Sequence, residues 1–165
     1  MRVTRRELLI GGGALVAAGV VYRVFIYESD EEEIRELIAT LASAATYSEG
    51  TNPAIYGTNV RAAFKETFAN GAIIDAPELG GAALDPEQLA GAATGGAGRF
   101  ASVAVSPADV KVQVQGERAT ATALVTVTAI DHGAAPRVEL RQCRFELSEI
   151  DGDWRVTRMT VAPEV

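Results

Sequence analysis

The hydrophobic period of this chain changes once, near Phe100. Before that point apolar residues recur at helical spacing, and after it they alternate. A helix has one stripe to bury and a half-buried strand has one face, so each half of the chain must cover the other. The expected architecture is therefore α+β, with N-terminal helices packed on an antiparallel sheet of four strands or more. At 165 residues the chain has length for one such domain and not comfortably for two.

In the helical half, Ile34, Leu37, Ile38, Leu41 and Ala45 place an apolar stripe on a helix over 30–45. Ser29 or Asp30 is its expected cap. Glu31, Glu32 and Glu33 fall in the first turn, where the helix dipole favours negative charge, so this acidic run reads as a solvated capping feature. Residues 47–56 are expected to be a loop, because Ser48-Glu49-Gly50 and Asn52-Pro53 interrupt regular structure. A second helix is expected over 58–69, with Val60, Phe64 and Phe68 inward and Asn70-Gly71 as its stop. Residues 72–75 then form a short extended piece. Asp85-Pro86-Glu87 starts a third helix, with a cap, a proline at the first helical position and an acid in the first turn. That helix is expected to run to about residue 93 and to end in Thr94-Gly95-Gly96-Ala97-Gly98.

In the strand half, Val103, Val105, Val110, Val112 and Val114 form one β stretch with a break at Ser106-Pro107. Gln115-Gly116-Glu117 turns the chain. Residues 119–130 alternate small or apolar residues with threonine, which suits a strand. Asp131-His132-Gly133-Ala134-Ala135 is the next loop. Val138 and Leu140, then Cys143, Phe145 and Leu147, are inward candidates, and their change of parity predicts a β-bulge between Leu140 and Cys143. Asp151-Gly152 is a tight hairpin turn, and Trp154, Val156, Met159 and Val161 close a four-stranded meander.

A different constraint governs residues 1–27. After Arg2, Arg5 and Arg6, the stretch Leu8–Tyr27 carries a single charge, Arg23, near its end. About 20 apolar residues of helix suffice to cross a bilayer, and Arg23 is close enough to one end to snorkel. Of the formal charge of −7, four arginines against Glu7 leave +3 on residues 1–27 and −10 on the remainder. The positive-inside rule then puts the N-terminus in the cytoplasm and the domain, residues 28–165, outside. Thr4-Arg5-Arg6-Glu7-Leu8-Leu9 resembles the twin-arginine signal of bacterial secretion, with Ile10 where a lysine is common. That resemblance makes Arg5 and Arg6 the receptor-read pair. The chain stays apolar through Tyr27, so an uncleaved anchor is preferred over a signal cut near Ala17-Ala18-Gly19.

Charge and rare residues exclude several function classes. A domain at −10 repels nucleic acid. Cys143 is the only cysteine, so no intrachain disulfide forms, and it reads as a small buried hydrophobe in a strand. One cysteine and one histidine, His132, argue against a structural zinc site. No metal-ligand set, phosphate loop, nucleophile motif or cofactor fingerprint is present.

The order of elements, together with the ending Phe145-Glu146-Leu147-Ser148-Glu149-Ile150-Asp151-Gly152-Asp153-Trp154-Arg155-Val156, resembles the nuclear transport factor 2-like superfamily, which includes SnoaL-like domains and ketosteroid isomerases. The resemblance covers roughly residues 30–162 and implies a strongly curved sheet wrapped into a cone with a pocket. The superfamily hosts isomerases, dehydratases, binding domains and assembly subunits, so the fold leaves function open. An isomerase-type site needs a carboxylate base and a tyrosine, for which Asp75, Tyr47 and Tyr56 are the weak candidates. A dehydratase-type site wants an Asp–His pair, and Asp131-His132 reads as a turn instead. The expected role is therefore non-catalytic binding of a partner protein or a small apolar ligand. A small lyase or isomerase, or a self-assembling subunit paired through its sheet face, are the alternatives.

Overall fold

The computed structural model describes residues 29–77 and 83–162. The expected membrane segment at residues 8–27, and Arg5 and Arg6 before it, lie outside the described residues. Among the described residues no helix is long and apolar enough to cross a membrane.

Helix α1 is followed from residue 29 to residue 45. Ser29 and Asp30 are already helical, so neither is the cap that the sequence pattern implied. Ile34, Ile38, Leu41 and Ala42 are buried as the stripe requires. Arg35 pairs with Glu31 at 2.9 Å one turn away. Helix α2 spans Pro53–Thr67, so the Asn52-Pro53 pair is a helix start and not a loop breaker. The Asn52 side chain accepts from the Ala54 N–H at 2.9 Å, and Pro53 occupies a first-turn position where no N–H is needed. The helix stops at Thr67 rather than continuing past Phe68. Phe68 turns extended while its N–H still donates to the Phe64 carbonyl, and the Arg155 guanidinium donates to the carbonyls of Lys65 and Glu66 in the last turn.

With no intervening turn the chain enters β1, Phe68–Asp75. Helix α3, Pro86–Ala97, begins as expected, with a reciprocal capping box between Asp85 and Gln88. It runs four residues beyond the expected end. Ala90 and Ala97, two turns apart, are both buried and hold it down, which offsets the poor helix propensity of Gly95 and Gly96.

The remaining strands are β2 Phe100–Gln115, β3 Arg118–Asp131, β4 Arg137–Ile150 and β5 Asp153–Val161. The sheet has five strands in the order β1-β5-β4-β3-β2. The meander expected from β2 to β5 is antiparallel, but β1 adds to it in parallel, beside β5. Strand β2 does not break at Ser106-Pro107. It is the edge strand, where a proline is tolerated. The irregularity falls between Ala108 and Lys111, where Asp109 adopts a φ of 50° and one residue bulges. The bulge expected between Leu140 and Cys143 is absent, since β3 and β4 stay in continuous register there. Val138 and Leu140 instead lie on the outer face and are exposed. The β4–β5 pair shifts register between Glu146 and Leu147. At the hairpin below, Asp151 and Gly152 both take positive φ, 55° and 87°, as a tight turn of this kind demands.

All three helices cover one face of the sheet, and the buried residues of both layers form one core. Helices α2 and α3 pack closely. A Cβ on Gly57 would stand 3.0 Å from the Thr94 methyl, whereas one on Gly91 would meet nothing within 4 Å. Gly57→Val should therefore cost about 1–3 kcal/mol through overpacking, while Gly91→Ala should add about 0.5–1 kcal/mol of helix propensity. Urea midpoints of the two variants against the parent chain measure both, and a neutral Gly57→Val would contradict the close α2–α3 contact.

Candidate functional site

Helices and sheet do not fill the space between them evenly. Toward the Asp151-Gly152 hairpin, Trp154, Leu147 and Val156 are almost fully buried, and the Trp154 indole donates to Asp30 of α1 at 3.4 Å. Toward the other end the two layers do not close completely, and an apolar cavity of about 260 Å³ remains. Helix α1 contributes Ile38, Leu41, Ala42 and Ala45 to its wall. Phe64, Phe68, Leu89 and Ala93 come from α2, β1 and α3. The sheet supplies Val105 and Pro107 from β2, Val125 and Val127 from β3, Cys143 and Phe145 from β4, and Met159 and Val161 from β5. The single charged side chain among the lining residues is Arg141. Its Nη2 donates to Glu139 Oε2 at 2.9 Å.

The residues singled out for isomerase chemistry are not gathered here. Tyr47 and Tyr56 do meet, edge to face, with ring centroids 5.2 Å apart, but neither lines the cavity. The Tyr56 hydroxyl donates to the Ala45 carbonyl at 3.0 Å. Burial, and secondarily the neighbouring Tyr47, push its pKa up, so it stays a neutral donor. Tyr47 works through its backbone, exchanging hydrogen bonds of 2.7 and 2.8 Å with Val103 and so covering the edge of β2. Asp75 shares its side of β1 with Ile73, opposite the buried Ile74, and is ion-paired with Arg158 at 2.8 Å. It does not line the cavity. Asp131 pairs with Arg137 at 3.1 Å, and His132 is exposed in the β3–β4 turn. Among the described residues no group of three or more His, Cys, Asp or Glu side chains could hold a metal ion.

A second depression, of about 450 Å³, lies between the end of α2 and the start of α3. It mixes Arg61 and Lys65 with Asp85 and Glu87, and Asp85 is already used in the capping box. The apolar cavity is the better candidate site, because every helix and every strand contributes to its wall.

Arg141 is the lining residue that sequence reasoning passed over. The signal was present. Leu147, Phe145 and Cys143 alternate with polar residues, and carrying that parity back one step gives Arg141. Val138 and Leu140, read as inward, hid it.

The SnoaL-like domain family matches residues 54–160, and the chain belongs to that family. Its fold is that of the nuclear transport factor 2-like proteins. An NTF2-like protein with a cystatin-like fold from Novosphingobium aromaticivorans superposes with a TM-score of 0.68 at 20% identity, over 88% of each chain. A scytalone dehydratase-like protein from the same organism gives 0.64 at 11% identity, over 84% of this chain and 86% of that one. The association domain of C. elegans CaMKII gives 0.63 at 11% identity, over 82% and 97%. At these identities the likeness is one of fold. Among curated proteins, none matches the chain.

Cys143 offers a direct readout of the cavity wall. It is 3% exposed, and burial pushes its thiol from 9.0 up to about 11. Only the thiolate reacts with alkylating reagents, so two units remove about a hundredfold of it at pH 8. The native chain should react at least that much more slowly than the urea-unfolded chain. Its rate should climb with pH up to about 11, where the unfolded chain levels near 9. Equal rates at pH 8 would mean that the wall is open.

Proposed function

We propose that this chain is a membrane-anchored, extracytoplasmic SnoaL-like domain that binds a small apolar ligand and does not transform it. The observation that carries the binding reading is the cavity itself. The pocket holds about 260 Å³ and its wall is almost wholly hydrocarbon, so apolar surface of a ligand placed there leaves water at a gain of roughly 25 cal/mol per Å². A ligand that fills the space recovers contacts the protein alone leaves unmade.

The non-catalytic part of the reading is supported by the lining. Proton transfer needs an acid or base within hydrogen-bond reach of the substrate, and no Asp, Glu, His or Tyr is among the described lining residues. Neither Tyr47 nor Tyr56 is among the lining residues, and the Tyr56 hydroxyl is committed to the Ala45 carbonyl.

Thermal unfolding of the full chain with 1-octanol tests the binding. A ligand at a hundred times its Kd stabilises by about 2.7 kcal/mol, which raises Tm by several degrees. Val127→Phe, which fills the cavity from β3, should remove the shift. If octanol shifts parent and variant alike, the cavity is not the binding site.

The anchoring part rests on residues 8–27 and on the charge split of the chain. Fractionation of cells expressing the full chain should place it with the membranes, with the domain open to added protease from outside. Replacing Arg5 and Arg6 together by lysine should leave the domain protected inside if the twin-arginine route carries it. Recovery of the parent chain in the soluble cytoplasm would sink the membrane reading.

A further inference from the structure

An unpaired sheet edge is a template for another strand, and most proteins cover it. Here both edges are covered near their ends. On β1, Ile74 exchanges two backbone hydrogen bonds of 2.9 Å with Leu84. On β2, Val103 exchanges a similar pair with Tyr47, and the Val105 N–H donates to the Thr46 hydroxyl at 3.1 Å. Pro107, next in that alternation, has no N–H to offer. The bulge between Ala108 and Lys111 then reverses the alternation. Beyond it Val110, Val112 and Val114 turn their N–H and C=O groups to the open side. The turn agrees, because Gln115 pairs with Arg118 across two residues, and such a turn closes on a pair whose backbone groups face each other. Among the described residues none bonds to the three valines on that side.

We propose that this edge pairs with a second copy of itself, antiparallel over residues 110–115, about a two-fold axis at Val112. In that register Val112 exchanges hydrogen bonds with its own copy, and Val110 with Val114 of the second copy. The three valines are partly buried against the core, so the pairing sets valine beside valine on the inner face. On the outer face it sets Lys111 beside Gln113 of the second copy. An axis at Lys111 would instead put two lysines face to face, which is unfavourable. An axis at Gln113 would leave Val110 against the turn. Within residues 108–115 the charges are Asp109 and Lys111, so the segment is neutral in a domain that is otherwise strongly acidic, and copies can approach there with the least repulsion. This inference depends on neither the cavity nor its ligand.

Sedimentation equilibrium of the full chain in detergent micelles tests it, and the parent chain should show a reversible dimer. Gln113 is exposed and lies opposite Thr120 of β3, so changing it leaves the monomer fold alone. Gln113→Glu places a carboxylate opposite Lys111 twice by symmetry, and should tighten the dimer roughly two- to thirtyfold. Gln113→Lys places like charges there, and should weaken it by a similar factor. Net charge alone predicts the reverse order, since the glutamate variant is the more acidic. The register has its own readout. Residues 111 and 113 of opposite copies face each other with Cα atoms about 4.5 Å apart, within disulfide reach. On mild oxidation, Lys111→Cys chains mixed with Gln113→Cys chains should therefore cross-link faster than either alone. A chain that stays monomeric overturns the proposal and leaves the edge to a strand of a different protein. A dimer that ignores both Gln113 substitutions, or follows net charge, overturns the edge assignment and points to another surface, such as the outer face of the sheet.

Discussion

The inner face of the sheet rests on a pairing of unequal side chains. Ala119, Ala121 and Ala123 on β3 stand opposite Leu147, Phe145 and Cys143 on β4. Small residues on one strand leave depth that large residues on the next occupy, so the layer interdigitates and the helices can lie close over it. Near the β4–β5 hairpin the large partners win, and Trp154, Leu147 and Val156 close the space against α1. Farther along β3 the facing residues are Val125 and Val127, and the helices answer with Ala42, Ala45 and Ala93. Larger side chains, Phe64, Phe68 and Phe145 among them, stand on the wall of the cavity without closing it.

Elements whose signal is local were legible in the sequence. The alternation from Phe100 onward, the Asp85-Pro86 helix start and the Asp151-Gly152 turn each depend on adjacent residues, and each was found where it was expected. Elements whose signal is distant were not. Phe68 fits the helical stripe of α2, and only its docking beside β5 makes it the first residue of a strand. The glycines at the end of α3 are poor helix formers, and tertiary burial of Ala97 overrides them. Asn52-Pro53 carries the same cap-and-proline signal as Asp85-Pro86, but the expected apolar stripe, Val60 and Phe64, begins two turns further into α2.

The site was less legible than the fold, for a related reason. Tyr47, Tyr56 and Asp75 are residue types that do chemistry, but a residue's type does not fix which way it faces. Asp75 lies one residue from the fully buried Ile74, and the two-residue period of the strand sends it to the other side. Arg141 is hidden by the opposite bias, since Val138 and Leu140 beside it are apolar and yet exposed. Counting back from Cys143 by twos places all three correctly.

The first and last strands of the domain meet at one edge of the sheet. Strand β1 joins the sheet through β5, with residues near 73 beside residues near 158, and β2, β3 and β4 all lie between the two in sequence. While the chain is being synthesised, the apolar stripes of α1 and α2 have no complete surface to cover. Pairing between segments so far apart must close a long loop before it gains anything, which favours late and all-or-none folding over piecewise growth. The nine residues of β5 are thus what convert a series of amphipathic pieces into a domain, and a chain stopped just short of them would hold most of the sequence and little of the structure.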